Sequence, residues 1–416
     1  MPVDMNVAIL SKKPLATHRY DQWLAGRDLV LFAEDSEATR RLLAMGGHGF
    51  AAGSVHLFAD WKANRAIDAA LLASHAKRPF DRIVALSECD LLRAAELRER
   101  LGLPGQGVAS ARAFRDKAVM KRHARAAGLA VPDFAQVSTV HDLTDFAAAH
   151  GSPVVVKPAD GSGSAGVCLL EDVNAVRAWI GAARFSCDSP AGYLAEEFID
   201  APMLSADGLM TDGEVVTVMV GEYTRTCLSS LTELRPHGIL LLDPADPRAG
   251  AARCYLRNLL RALPAAQGTM SFHCELFDDA ARGPVLCEIA ARTGGGFLPD
   301  IAARVLGVDL ERAAALGQAG TAATAARADA GPRYGDILMP RSPRYLPDGL
   351  TCGLPGVVTF TARREQMTPD QRRPAAKISD YVVSALLRSG SHAGLRQVYD
   401  EVAAWLSENM RAGDGS

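Results

Sequence analysis

Residues 154–170 read VVVKPADGSGSAGVCLL, and the way this stretch is parsed decides the rest of the chain. A run of valines, strongly strand-forming, ends at Lys157. A loop rich in glycine and serine follows, and a second apolar run, Val167 to Leu170, returns. The pattern Gly161-x-Gly163-x-x-Gly166 matches the dinucleotide-binding fingerprint, but that fingerprint must open a helix, and here the loop opens a strand. No Gly-Lys-Ser/Thr follows, which excludes a P-loop. What remains is a β-hairpin whose bare backbone N–H groups can close over an anion without Cβ clashes. Gly161, Ser162, Gly163, Ser164 and Gly166 are its candidate phosphate-binding residues. The alternative is an ordinary hairpin turn. Lys157, placed where the strand delivers it to the loop, favours a phosphate ligand over a snorkelling edge residue.

Upstream, capping residues predict a helix from Asp116 to Ala127, closed by Gly128 and Pro132, with Lys117 in its first turn. Strand Phe134–Val137 and helix Val140–His150 then lead into the valine run. Earlier still, apolar runs at Val7–Leu10, Leu29–Ala33 and Arg82–Leu86 alternate with helical patterns, one capped by Ser36 and one spanning Leu91–Leu101. Such alternation predicts an α/β lobe with a parallel sheet over residues 1–112. Glu88 stands at the end of the strand RIVALSE.

Downstream, residues 193–199 read YLAEEFI, a short strand carrying Glu196 and Glu197; paired acids at a strand end are either solvated or part of a hinge that reads an adenine edge. Residues 271–296 read SFHCELFDDAARGPVLCEIAARTGGG, two strands around a turn. Alternation puts His273 and Glu275 on one face of the first strand. It puts Glu288, Ala290 and Arg292 on one face of the second, opposite Cys287, Ile289 and Ala291. Two carboxylates converging on a polar face suit a hard divalent cation that also holds phosphates. Arg292 could clamp a carboxylate or phosphoryl group bidentately. An amphipathic hairpin with a solvated charged face is the alternative, and it leaves the turn Thr293-Gly294-Gly295-Gly296 unexplained. In the last ninety residues a Gly/Ala/Asp-rich connector (Gly317 to Gly331) precedes a strand-like Gly356–Ala362 and a terminal helix bearing Leu395, Val398, Val402 and Leu406 at helical spacing.

Taken in order, the lysine-bearing helix, the strand-Lys-glycine loop, EEFI, H-x-E and E-x-A-A-R-x-G-G resemble the ATP-grasp superfamily, and within it the L-amino-acid ligases and related dipeptide-forming enzymes. The resemblance covers roughly residues 80–310 and resides in the ordered set. It implies an α/β fold of three parts: the N-terminal parallel lobe, a central lid over residues 113–195 and a C-terminal catalytic lobe over 196–325, with 326–416 as a packing subdomain. It implies that Lys117, Lys157 and the glycine loop bind ATP phosphates, and that Glu196, Glu197, Phe198 and Ile199 line the adenine. Glu275 and Glu288 would bind Mg²⁺, with Mn²⁺ as a substitute. Arg292 and the amides of Gly294 and Gly295 would stabilise the chemistry. Met203 stands where the family has a ribose-contacting glutamate, so Asp200 or Ser205 would have to compensate; Ala290 replaces a common asparagine, as in the amino-acid-ligase branch. Glu88, Glu233, His237 and His273 are candidates for holding substrates.

The activity implied is ATP-dependent joining of a small carboxylic or amino acid to an amine through an acyl phosphate, releasing ADP and phosphate. A biotin-carboxylase-like enzyme or an inactive nucleotide-binding regulator are the rival readings. A net charge of -3 gives no footprint for nucleic acid or anionic membrane. With no signal-peptide core and no long apolar stretch, a cytoplasmic enzyme is expected, with a homodimer as its candidate assembly. Eight cysteines without a C-x-x-C pair read as reduced core residues.

Overall fold

In the N-terminal part the alternating runs close into a four-stranded parallel sheet ordered Val55–Phe58, Asp28–Glu34, Asn6–Ser11, Arg82–Ala85. The computed structural model describes residues 5–46, 48–182, 192–321, 331–342, 344–345, 350–362 and 375–412. Asn6–Ser11 is buried along its whole length because both its neighbours pair with it and both faces are covered, which is why it reads as a continuous apolar run. One of those covers comes from far along the chain. Helix Leu310–Gln318 lays Ala314 and Ala315, with Ala319 just beyond it, against Val7, Ile9 and Leu31. Its Gln318 exchanges two hydrogen bonds with the backbone of Ala85, at 2.9 and 3.0 Å. At its other end Glu311 holds Lys13 at 3.0 Å and His18 at 2.8 Å. The connector expected from Gly317 is therefore corrected: Gly317 is helical, and a Cβ there would stand 2.3 Å from that of Thr269. Residues 322–330 lie outside the described residues.

The central part is a four-stranded antiparallel sheet ordered Phe134–Val137, Tyr193–Glu197, Val154–Pro158, Cys168–Leu170. Helices Val140–His150 and Val173–Gly181 bury Leu143, Phe146, Val176 and Trp179 against it. Thr139 and Asp142 form a reciprocal capping box that fixes where the first of these starts.

The third part is an eight-stranded sheet that runs from the edge strand Gly283–Ala290, through Thr269–Asp279, Met203–Thr211 and Glu214–Tyr223, to Ile239–Leu241. Arg333–Pro340, Tyr381–Ser389 and Val357–Ala362 complete it. Helices Lys117–Ala126 and Pro247–Ala262 pack on one face around Leu256, Leu259, Phe272 and Cys274. Helix Leu298–Val305 covers the other face, and helix His392–Asn409 buries Leu395, Val402 and Leu406 near the far end. The described cysteines are free thiols, but Cys254 is exposed on its helix, a correction to the core reading; Cys187 lies outside the described residues. Among the described residues no helix is long and apolar enough to cross a membrane.

Candidate active site

Between the central sheet and the large sheet lies a cleft of about 770 Å³. Its lining brings together the glycine loop, residues 196–201, and Lys117, Lys157, Glu275 and Glu288.

Strand pairing delivers the hinge and the lysine to each other. Tyr193–Glu197 runs antiparallel to Val154–Pro158, so Lys157 Nζ meets Glu196 Oε2 at 2.8 Å. A second lysine, not singled out from the sequence, completes the cluster. Lys121 is fully buried, donates to the carbonyls of Leu286 and Cys287 at 2.8 and 2.9 Å, and pairs with Glu196 Oε1 at 3.2 Å. Burial opposes ionisation of Glu196, yet Lys121 and Lys157 outweigh it and hold the carboxyl below its usual range. Burial likewise opposes the charge on Lys157, but Glu196 more than offsets it and its pKa rises; for Lys121 burial wins and the pKa falls. The signal available in the sequence was spacing: Lys117 and Lys121 are one helical turn apart. Both carboxylate oxygens of Glu196 are thus engaged by lysines, Oε1 by Lys121 and Oε2 by Lys157. Glu197 lines the cleft, but its carboxylate turns outward to Asp133 N and Arg282 Nη1, both at 3.1 Å.

Lys117 reaches in the opposite sense. Asp116 caps its helix through the amides of Ala118 and Val119. Lys117 Nζ then donates to the carbonyl of Gly161 at 2.7 Å and pairs with Glu288 at 2.8 Å. The loop between Gly161 and Gly166 takes left-handed φ at Gly163 and Gly166, which a glycine adopts without strain.

Across the cleft floor the two hairpin strands set Glu275 directly opposite Glu288. A β-bulge follows Glu275 in the register, and with it Cys287 lines the cleft beside Glu288 in place of the opposite face that strict alternation assigned to it. The strand also stops at Ala290, so Arg292 is placed by the turn and not by alternation. Glu275 Oε1 accepts from the Tyr223 hydroxyl at 2.7 Å and from His273 Nε2 at 3.3 Å. His273 Nδ1 lies 2.8 Å from buried Asp207. Burial works against protonation of His273, but Asp207 and Glu275 dominate and raise its pKa to about 10, so it is an imidazolium donating from both nitrogens. It orients Glu275 and is absent from the cleft lining. Glu288 is depressed well below the usual carboxylate range by Lys117 and Lys157, against burial.

The remaining candidates scatter. Glu88 does not line the cleft; it sits between Arg115, 2.6 Å from Oε1, and Arg292 Nε on Oε2. Arg292 also donates to the carbonyl of Thr293 at 3.0 Å, leaving further N–H donors on the same guanidinium. Glu233 is at the cleft rim, half-exposed and paired with Arg225 at 2.6 Å. His237 is not at the cleft: it is buried against Ser230 Oγ at 3.1 Å, and burial lowers its pKa to about 4. A Cβ on Gly294 would come within 2.7 Å of Asp207 Oδ1 and 2.8 Å of His273 Nδ1, so glycine there permits that ion pair; Gly295 has open space. Buried Asp336, also unforeseen, accepts from the amides of Ile239 and Phe297 at 2.8 and 3.1 Å and so fixes the end of the glycine turn. Of the residues that could serve a ribose, Asp200 lines the cleft, whereas Ser205 is fully buried and donates to Asp207.

Residues 25–105 match the ATP-grasp N-terminal domain, and the whole chain superposes on the crystal structure of an L-amino acid ligase from Bacillus licheniformis. That superposition has a TM-score of 0.69 at 20% identity and covers 99% of this chain and 98% of the other. The chain has the ATP-grasp fold. Over 224 residues the chain is 28% identical to the L-arginine-specific L-amino acid ligase of Bacillus subtilis, covering 52% of each. Over 258 residues it is 27% identical to an alanine–anticapsin ligase of Bacillus subtilis, covering 55% of this chain and 52% of the relative. In these alignments the chain spans about half the length of the two curated ligases.

Proposed function

We propose that the chain is an ADP-forming carboxylate-amine ligase that joins a small carboxylic or amino acid to an amine or second amino acid through an acyl phosphate. One observation carries the reading: Glu275 and Glu288 face each other across a hairpin and line one cleft together with Lys117, with Lys157 and with the acidic hinge, Lys157 being paired to Glu196 of that hinge. The names of the amino-acid-ligase relatives support it.

The residues fit a magnesium nucleotide. Among the described residues no three His, Cys, Asp or Glu side chains converge to hold a metal ion. A divalent ion at this pair would need its other oxygens from phosphate and water, which is how Mg²⁺ is commonly bound. When bound, MgATP supplies the phosphoryl group that turns the acid into an acyl phosphate. Glu275 and Glu288 would hold the ion, the first oriented by Tyr223 and His273 and the second kept anionic by Lys117 and Lys157. The two lysines also offset charge on the phosphates, and the glycine loop keeps water from them. Arg292, just past the hairpin, offers guanidinium donors to the acid carboxylate or the phosphoryl group during transfer. No protein nucleophile is required. Pairs of amino acids supplied with MgATP should release ADP and phosphate in equal amounts, and hydroxylamine in place of the amine should yield a hydroxamate. Pyrophosphate among the products would replace this mechanism with adenylation.

A further inference from the structure

Three parts of the molecule meet at one carboxylate. Glu88 Oε2 receives Arg292 from the large sheet, and Glu88 Oε1 receives Arg115, which precedes the capping residue of helix Lys117–Ala126, at 2.6 Å. The same Arg115 uses Nη2 to donate to the carbonyl of Asp160, also at 2.6 Å. Asp160 is the residue before the glycine loop, and the next carbonyl, Gly161, is held by Lys117. Two consecutive carbonyls at the root of the loop are thus gripped by cations two residues apart in sequence, and the backbone amide of Lys117 takes a third, Ala159, at 2.9 Å. Arg115 is largely buried, and burial opposes ionisation of Glu88 while Arg292 and Arg115 together keep it charged, so the link is a charge-assisted pair and not a loose surface contact.

We propose that Arg115 is a positioning residue for the nucleotide phosphates: it fastens the root of the glycine loop to Glu88 and fixes the peptide plane at Asp160, and with it the direction in which the loop presents its amides. A guanidinium suits this because its planar fork serves a carboxylate and a carbonyl at once, which one ammonium group cannot do with the same geometry. The inference rests on the nucleotide reading of the cleft. It predicts a selective defect, because adenosine touches only the hinge end whereas the phosphates lie under the loop.

The test uses calorimetry on the full chain with MgATP and with adenosine, alongside hydrogen exchange of the amides of residues 161–166 without ligand. Arg115→Ala should weaken MgATP binding by about tenfold, the size of one lost charged hydrogen bond, while adenosine binding stays within about twofold. Arg115→Lys should fall between. Loop amides should exchange faster in Arg115→Ala and in Glu88→Ala. The double variant should be no worse than Arg115→Ala alone for MgATP, because the two residues act in series. Equal losses for MgATP and adenosine would mean general loosening and would overturn the proposal, as would unchanged MgATP affinity and exchange. If the unaltered protein binds neither ligand, the nucleotide reading itself falls and takes the positioning role with it. That outcome is distinct from a protein that binds MgATP regardless of Arg115.

Discussion

The hairpin Thr269–Ala290, with several acids and a histidine, and the segment Arg225–His237, with one of each, both border the cleft region, yet they are built to opposite effect. In the hairpin the charged side chains are pinned to one another, Asp207 to His273 to Glu275 and Lys117 to Glu288, and the two glutamates open into the cleft. In the segment, Glu233 is tied to Arg225 at the rim and His237 is buried away from the cleft. A strand hands every second side chain to the same face, so neighbours in sequence become neighbours in function. A helix end and a loop carry no such rule, and an acid or histidine there goes wherever local caps and packing send it.

Replacing either hairpin glutamate should give the largest effect: Glu275→Ala or Glu288→Ala should cut ADP release by about a thousandfold or more, on the scale of lost electrostatic stabilisation in a transition state. A variant that keeps near-native turnover at saturating magnesium would make the hairpin as incidental as the segment. Arg292→Ala should lower both hydroxamate trapping and ligation by roughly a hundredfold, because the guanidinium acts before the amine is needed. Trapping at the native rate would remove that role alone. For Lys157→Ala we expect MgATP affinity, measured by calorimetry, to drop roughly tenfold to a hundredfold, the range for a charged hydrogen bond.

The smallest effects belong to the segment. His237→Gln and Glu233→Ala should each leave ADP release within about threefold of native at pH 8, as for other changes away from chemistry. His237 should matter for stability. Its folded pKa, about 4, lies below the ordinary value of 6.5, so its neutral form contributes stability that is present above pH 6.5 and lost as pH falls toward 4. By linkage this is up to about 3 kcal/mol, and melting curves across that window should be flatter for His237→Gln. A strong loss of turnover without that flattening would move His237 into the site.

Much of the architecture could be read directly. Helices Leu91–Leu101 and Val140–His150 carry their boundaries in caps and glycines, and the Ser36 cap is made as expected, accepting from Thr39 N. The facing pair Glu275 and Glu288 followed from period-two alternation. Alternation failed at Cys287 because one residue is bulged, and a bulge leaves no mark in residue types. Lys121 was missed because a buried lysine looks like any surface lysine until its partners, Glu196 and two carbonyls, are in place. Asp207 and Asp336 were missed for the same reason: their partners come from strands far apart in sequence.

Helix Leu310–Gln318 completes the layer over the N-terminal sheet, and that has a consequence for biosynthesis. Strands Asn6–Ser11 and Arg82–Ala85 leave the ribosome early, but Ala314 and Ala315, which cover Val7 and Ile9, come roughly 230 residues after the second of them. At about 5–20 residues per second, the first lobe waits roughly ten to forty seconds with an apolar face bare. The lobe begun first thus stays open until strands of both other parts have been made, and a chaperone that shields this face during translation would act on a lobe that has every strand it needs and lacks only its cover.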